Sequence, residues 1–249
     1  MCRPSNYDIS EITPCTHEEA DVRIPLHTLH AAKHGHASIF WRTADTDVVV
    51  LGVKTLAEKE GIIADIVIGF GTRTKKSGMR YYAQPVLSIL RKITCYGSRP
   101  AYYLLLVLIF QCFCRYIVVS LIIDFIGRSK ALALPGFHAF TGCDTTCSII
   151  GYAKITAWKV WISYPAATEA FMELSTPHED VQELLPILPK IETFVNKLFL
   201  GISNEYSSVD AARLDALIYK SKNFSNIPPS SDDLFQKVLR TVMQVCYDT

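Results

Sequence analysis

The sequence is short of the features that classify a chain at a glance. Its eight cysteines (Cys2, Cys15, Cys95, Cys112, Cys114, Cys143, Cys147 and Cys246) form no CxxC pair and no regular framework, which argues against a zinc ribbon or a disulfide scaffold. The N-terminal stretch MCRPSNYDISEITPC lacks the continuous apolar core of a secretory signal, so reduced thiols and an intracellular site, nuclear or cytoplasmic, are expected. No repeat of fixed period occurs, which argues against a solenoid. Charge of either sign is not in excess: 25 Lys and Arg face 24 Asp and Glu, for a formal net charge of +1. Any nucleic-acid partner must therefore be met by a local patch, not by a whole-molecule field. What is present is 249 residues, 49% of them hydrophobic, enough to bury the core of one large domain or two small ones.

Local patterns give an α/β beginning and a helical end. Thr16 with Glu19 makes a capping box and Gly35 a stop, so a helix is expected between them, with Pro25 inside it. Ala37 to Trp41 and Asp47 to Gly52 read as strands. Val48 to Leu51 lacks alternation, as in a strand buried on both faces. A helix from Lys54 to Glu60, closed by Gly61, and a strand from Ile62 to Gly69 complete an α/β layer. Helices are then expected over Thr145 to Ile150, Ala153 to Ser163, Ala166 to Leu174, Glu179 to Leu185, Ile191 to Leu200, Val209 to Tyr219 and Asp232 to Val245, the last capped by Ser231.

Ala101 to Gly127, AYYLLLVLIFQCFCRYIVVSLIIDFIG, stands apart, with Arg115 and Asp124 as its only charges. It is long enough to cross ~30 Å of hydrocarbon. Against a transmembrane helix, Arg115 near the centre costs ~2.5–3.5 kcal/mol on insertion scales, and the flanks are basic on both sides. Two buried strands broken at Arg115 are the alternative.

Acidic residues gather at Glu18-Glu19-Ala20-Asp21, at Asp45-Thr46-Asp47 and at Asp144 in a Thr-Gly-Cys-Asp turn. Hard divalent ions are held by carboxylate oxygens, and two-ion phosphodiester chemistry draws several of them from separate elements. Strand residues two apart face the same way, so Asp45 and Asp47 are expected to point at one site. Each cluster also has a plainer reading: Glu19 as a capping residue, and Asp144 as an acid favoured at a helix start.

At these residues the chain resembles the flap-endonuclease branch of the PIN-like nuclease superfamily. Glu19-Ala20-Asp21, Asp45-Thr46-Asp47-Val48 and Thr141-Gly142-Cys143-Asp144, followed by Ile150-Gly151-Tyr152-Ala153-Lys154, stand in that family's order. THEEAD, DTDV, LPGFHAFTGCDTT and IPPSSDDL resemble uncharacterised multicopy metazoan relatives still more closely, a mobile-element origin being open. The resemblance implies a PIN-like parallel sheet flanked by helices, then a helix-hairpin-helix and a helical C-terminal region. The corresponding pieces are a partial PIN-like domain at 15–95, an apolar insertion at 96–130, the acidic turn with its hairpin at 131–163 and the helical region at 164–249.

It implies a magnesium- or manganese-dependent phosphodiester nuclease relative, with Glu19, Asp21, Asp45, Asp47 and Asp144 holding two ions and Asp45, Asp47 and Asp144 catalytic. Gly151, Lys154 and Lys159 would grip nucleic-acid backbone. The family draws further aspartates from an N-terminal strand that nothing before Glu18 replaces, Asp8 being isolated; an N-terminally truncated, weak or inactive enzyme is expected. The relatives also run past Ala101 to Gly127 without it, which suggests a translated intron. A non-catalytic nucleic-acid-binding protein and a single-pass membrane protein are the alternatives.

Two further features remain. Gly71 to Arg80 places Arg73, Lys75, Lys76 and Arg80 in a turn-rich stretch beside Tyr81 and Tyr82, either a solvated hairpin tip or a phosphate-contacting loop. His27, His30 and His34 share a helical face with His17 and His36 nearby, a rival zinc set that reads more simply as surface histidines. His138 is left open between phosphate contact and packing.

Overall fold

A computed structural model describes residues 10–13, 20–36, 38–71, 116–149, 151–178, 180–218 and 227–247. The basic loop with Arg73, Lys75, Lys76 and Arg80 lies outside these residues, as do Glu18, Glu19 and positions 101–115. The chain divides into two units, residues 1–18 with 23–127 and residues 19–22 with 128–249. The architecture is α/β: a small mixed sheet, with helices making up most of the rest.

In the first unit, α1 (Ala20–Lys33) contains Pro25 and gives way to Gly35 at φ 88°, the left-handed stop expected of a glycine. β1 (Ser38–Thr43) runs parallel to β2 (Asp65–Phe70), with Ser38 opposite Asp65 and Thr43 opposite Phe70. β3 (Tyr116–Val118) is antiparallel to β2. One sheet face is covered, with Trp41, Ile66 and Ile68 buried on it. The Trp41 indole N–H donates to the Thr28 hydroxyl at 2.8 Å, tying α1 to the sheet.

The crossover between the parallel strands corrects one expectation. The run from Asp47 to Gly52 is no strand but the first half of α2 (Thr46–Glu58). Val48, Leu51, Gly52, Thr55 and Leu56 are buried, a three-and-four spacing that puts one helical stripe on the sheet. Asp45 starts the helix by accepting the Asp47 amide at 2.9 Å. The β-branched propensity of Val48 to Val50 is thereby overridden by burial and a cap. At the closest approach Gly52 is without a side chain, and a Cβ there would lie 3.0 Å from Ile68 Cδ1.

Of the apolar stretch, residues 116–126 form β3 and then α3 (Val119–Ile126), which ends at Gly127 with φ 81°. One transmembrane helix across Ala101 to Gly127 therefore does not describe them, and among the described residues no helix is long and apolar enough to cross a membrane. Val118 gives α3 no side-chain cap. Asp65 supplies one from β2: Oδ1 accepts the Ser120 amide at 3.2 Å and the Ile66 amide at 2.8 Å, and Oδ2 accepts the Ser120 hydroxyl at 3.0 Å. Asp65→Ala is expected to cost ~1–2 kcal/mol, the range of a lost helix cap, with Asp65→Asn recovering part of it. Urea denaturation checks this, and an unchanged midpoint would show that water replaces the carboxylate.

The second unit is helical: α4 (Arg128–Thr141), α5 (Lys154–Ser163), α6 (Ala167–Glu173), a 3-10 helix (Val181–Ile187), α7 (Leu188–Leu200), α8 (Val209–Ile218) and α9 (Ser231–Tyr247). Its core is aromatic. Phe137 and Phe140 from α4, Trp158 and Trp161 from α5, Phe171 from α6 and Phe194 from α7 meet with several edge-to-face contacts. α4 and α6 touch backbone to backbone at Gly136, whose N–H donates to Ser175 Oγ at 2.8 Å while that hydroxyl donates to the Phe171 carbonyl. Glu192 on α7 accepts the Val209 amide that opens α8, and Asp210 on α8 accepts the Ser231 amide and hydroxyl that open α9. The capping hydroxyl of α9 is Ser230, which accepts the Asp233 amide, and not the expected Ser231.

Candidate functional site

Thr145 to Ile150 was expected as a helix; residues 145–149 form a turn instead. Gly142, at φ 110°, ends α4, and a Cβ on it would lie 2.5 Å from Ser148 Cα. The Cys143 amide donates to both the carbonyl and the hydroxyl of Thr146, each at 3.1 Å, and that buried hydroxyl donates back to the Ala139 carbonyl at 2.7 Å. Thr146 thus serves the turn, not a following helix. From α9, Lys237 Nζ donates to the Cys147 carbonyl at 2.7 Å and lies over the Phe140 ring, and Gln244 accepts the Thr145 hydroxyl. Burial pushes the Lys237 ammonium below its ordinary pKa, the Arg240 charge adds to this, and the Cys147 and Cys143 thiols oppose it. The described cysteines Cys143, Cys147 and Cys246 are free thiols.

Asp144 sits on this pinned turn, exposed, with no hydrogen bond or ion pair among the described residues. The reading of Asp144 as an acid at a helix start falls with the helix. Other acids have structural work. Asp45 caps α2, Asp65 caps α3, Asp180 accepts the Gln182 amide, Glu192 caps α8 and Asp210 caps α9.

Asp45 and Asp47 do not share a strand face, because the strand ends at Thr43 and both belong to the start of α2. Asp45 holds its position through its own amide, which donates to Thr43 Oγ1 at 2.9 Å, and Asp47 accepts from Thr46 at a long 3.5 Å. Both lie at the carboxyl end of the parallel strand β1, where open α/β sheets place their ligands. They belong to the first unit, whereas Asp21, in the first turn of α1, and Asp144 belong to the second. Carboxylates are the right chemistry for a hard divalent ion. Among the described residues, however, no three His, Cys, Asp or Glu are placed to hold one. The described acids therefore do not make the site that two-ion cleavage needs, and no step is derived through an ion.

Of the histidines, His27, His34 and His36 are exposed, and the His30 and His34 rings lie 4.2 Å apart. His138 is half-buried and its Nδ1 is 2.9 Å from Lys154 Nζ, which also donates to the His138 carbonyl. Lys154 thus supports the last turn of α4, a favourable place for a cation. Gly151 takes φ 82° in the connection to α5, and Lys159 is exposed with no partner among the described residues. Sequence reasoning passed over Lys237, Arg240 and Gln244. The signal available was their spacing on α9, which places them on one face.

No family model, curated protein or solved structure matches the chain.

Proposed function

We propose that the chain is a relative of the flap-endonuclease branch of the PIN-like nucleases that binds nucleic acid through its phosphodiester backbone and cleaves it weakly or not at all. Asp144 carries the reading: a solvent-facing carboxylate without a structural partner, on a turn held by a left-handed glycine, a buried threonine and a lysine from another helix. Fixing a charged side chain on a rigid support is what a functional site requires, and the turn stands where the resemblance puts a metal-binding aspartate. The position of Asp45 and Asp47 beyond β1 is a second support. Magnesium or manganese would supply an activated water and charge neutralisation there. Without a converged set of carboxylates, transition-state charge goes unmatched, which is why cleavage is expected to be poor.

The test is fluorescence anisotropy with duplex, flap and single-stranded oligonucleotides over a salt series, with cleavage followed in magnesium and in manganese. Binding is expected to fall steeply with salt, the logarithmic slope growing by ~0.9 for each duplex phosphate neutralised, and to vary little with sequence. Robust magnesium-dependent cleavage abolished by Asp144→Ala would show the site to be complete. Absence of binding to every nucleic acid would remove the proposal.

A further inference from the structure

α9 carries Lys237, Arg240 and Gln244 at intervals of three and four, so the three lie along one face. Both ends of that face touch the 142–149 turn, through Lys237 on the Cys147 carbonyl and Gln244 on the Thr145 hydroxyl. Arg240, between them, is exposed and makes no hydrogen bond or ion pair among the described residues. The helix has no acid after Asp233, so nothing along this face neutralises the two cations. The charged or titratable groups beside them are the Cys143 and Cys147 thiols and the exposed Asp144 of the turn.

We infer that the Lys237–Arg240 face of α9 is a phosphodiester-contacting surface, with Arg240 as its recognition residue and Lys237 as the group that fixes the turn beside it. The inference rests on the nucleic-acid reading above and adds a helix that reading did not use. Two like charges held side by side, one of them half-buried, are unfavourable in the free protein. A polyanion removes that repulsion, and a guanidinium matches phosphate oxygens in a planar, two-pronged way that an ammonium does not. Lys237 is committed to a carbonyl, which leaves Arg240 as the free cation of the pair.

The experiment uses the full chain and a fluorescein-labelled duplex across a salt series. Arg240→Gln is expected to weaken binding severalfold at low salt and to reduce the salt slope by ~0.9, one phosphate's worth. Arg240→Glu should weaken it further and Arg240→Lys should recover part of the affinity. Lys190→Gln removes the same charge elsewhere on the second unit, from a lysine paired with Glu169 at 2.6 Å, and should leave the slope unchanged. Arg240→Gln equal to wild type, or Lys190→Gln equally damaging, overturns the inference. Arg240-dependent binding of polyglutamate in preference to the duplex overturns it in favour of an acidic polypeptide. Failure of the wild-type chain to bind any duplex, visible before a variant is made, removes the nucleic-acid reading and this surface with it.

Discussion

Phe171→Ala is expected to lower the stability of the helical unit by ~3–5 kcal/mol, the range for a large aromatic removed from a packed core. Phe171 has no exposed surface. Its ring lies 5.1 Å from Trp161, 5.1 Å from Phe194, 5.4 Å from Phe137 and 5.8 Å from Phe140. These rings come from three other helices, so each is fixed by its own backbone and none can move far into the space left behind. The loss then combines transfer free energy with a lasting cavity. Urea denaturation followed by tryptophan fluorescence reads it directly, because Trp161 is a neighbour. A loss below ~1.5 kcal/mol, typical of volume-conserving swaps, would mean that the cluster repacks.

Gly136→Ala reverses the usual sign of a helical substitution. An exposed helical glycine gains ~0.8–1 kcal/mol on replacement by alanine. At Gly136 the new Cβ would lie 2.3 Å from the Phe171 carbonyl oxygen, 2.8 Å from Ser175 Oγ and 3.0 Å from Leu174 Cβ. The first of these is backbone of a neighbouring helix and cannot swing aside. α4 and α6 must separate, breaking the Gly136 amide bond to Ser175 and loosening the rings beneath. A net destabilisation of ~1–3 kcal/mol or more is expected, as for other overpacked interiors. Calorimetry gives the sign at once: a raised melting temperature would mean that the helices are farther apart than described here.

The contrast between what could and could not be read from the sequence follows the range of the interactions. β1 and β2 were legible because β-branched and aromatic residues stand between polar breaks, and the later helices because prolines and glycines punctuate them. α2 was misread because four consecutive apolar residues look the same in a buried strand and in a buried helix. The deciding signals, an Asp45 cap and burial recurring through Leu56, lay on either side of that run. Thr145 and Thr146 look like the start of a helix, yet the Thr146 hydroxyl bonds backward to Ala139. No local rule distinguishes these two uses of a threonine.

The acids show the same limit. Asp45, Asp47 and Asp144 were singled out together by order and chemistry, but their partners separate them: one caps a helix, one shares its first turn, one has no structural partner. Lys237 reaches Cys147 across ninety positions. Such a contact leaves no mark in a window of sequence, although the acid-free face that bears it is visible once the helix is drawn.

The turn at 142–149 divides its labour between residues that hold it and a residue that it merely displays. Gly142 and Thr146 cannot be exchanged without strain or an unmatched buried polar group, so in a randomised library they would be retained by any screen for folded protein. Asp144 contributes no contact, and Asn, Ser or Gly there would pass the same screen unnoticed. Whatever pressure keeps an acid at that position must act on what the protein does, which makes codon 144 a place where selection for activity can be measured free of selection for folding.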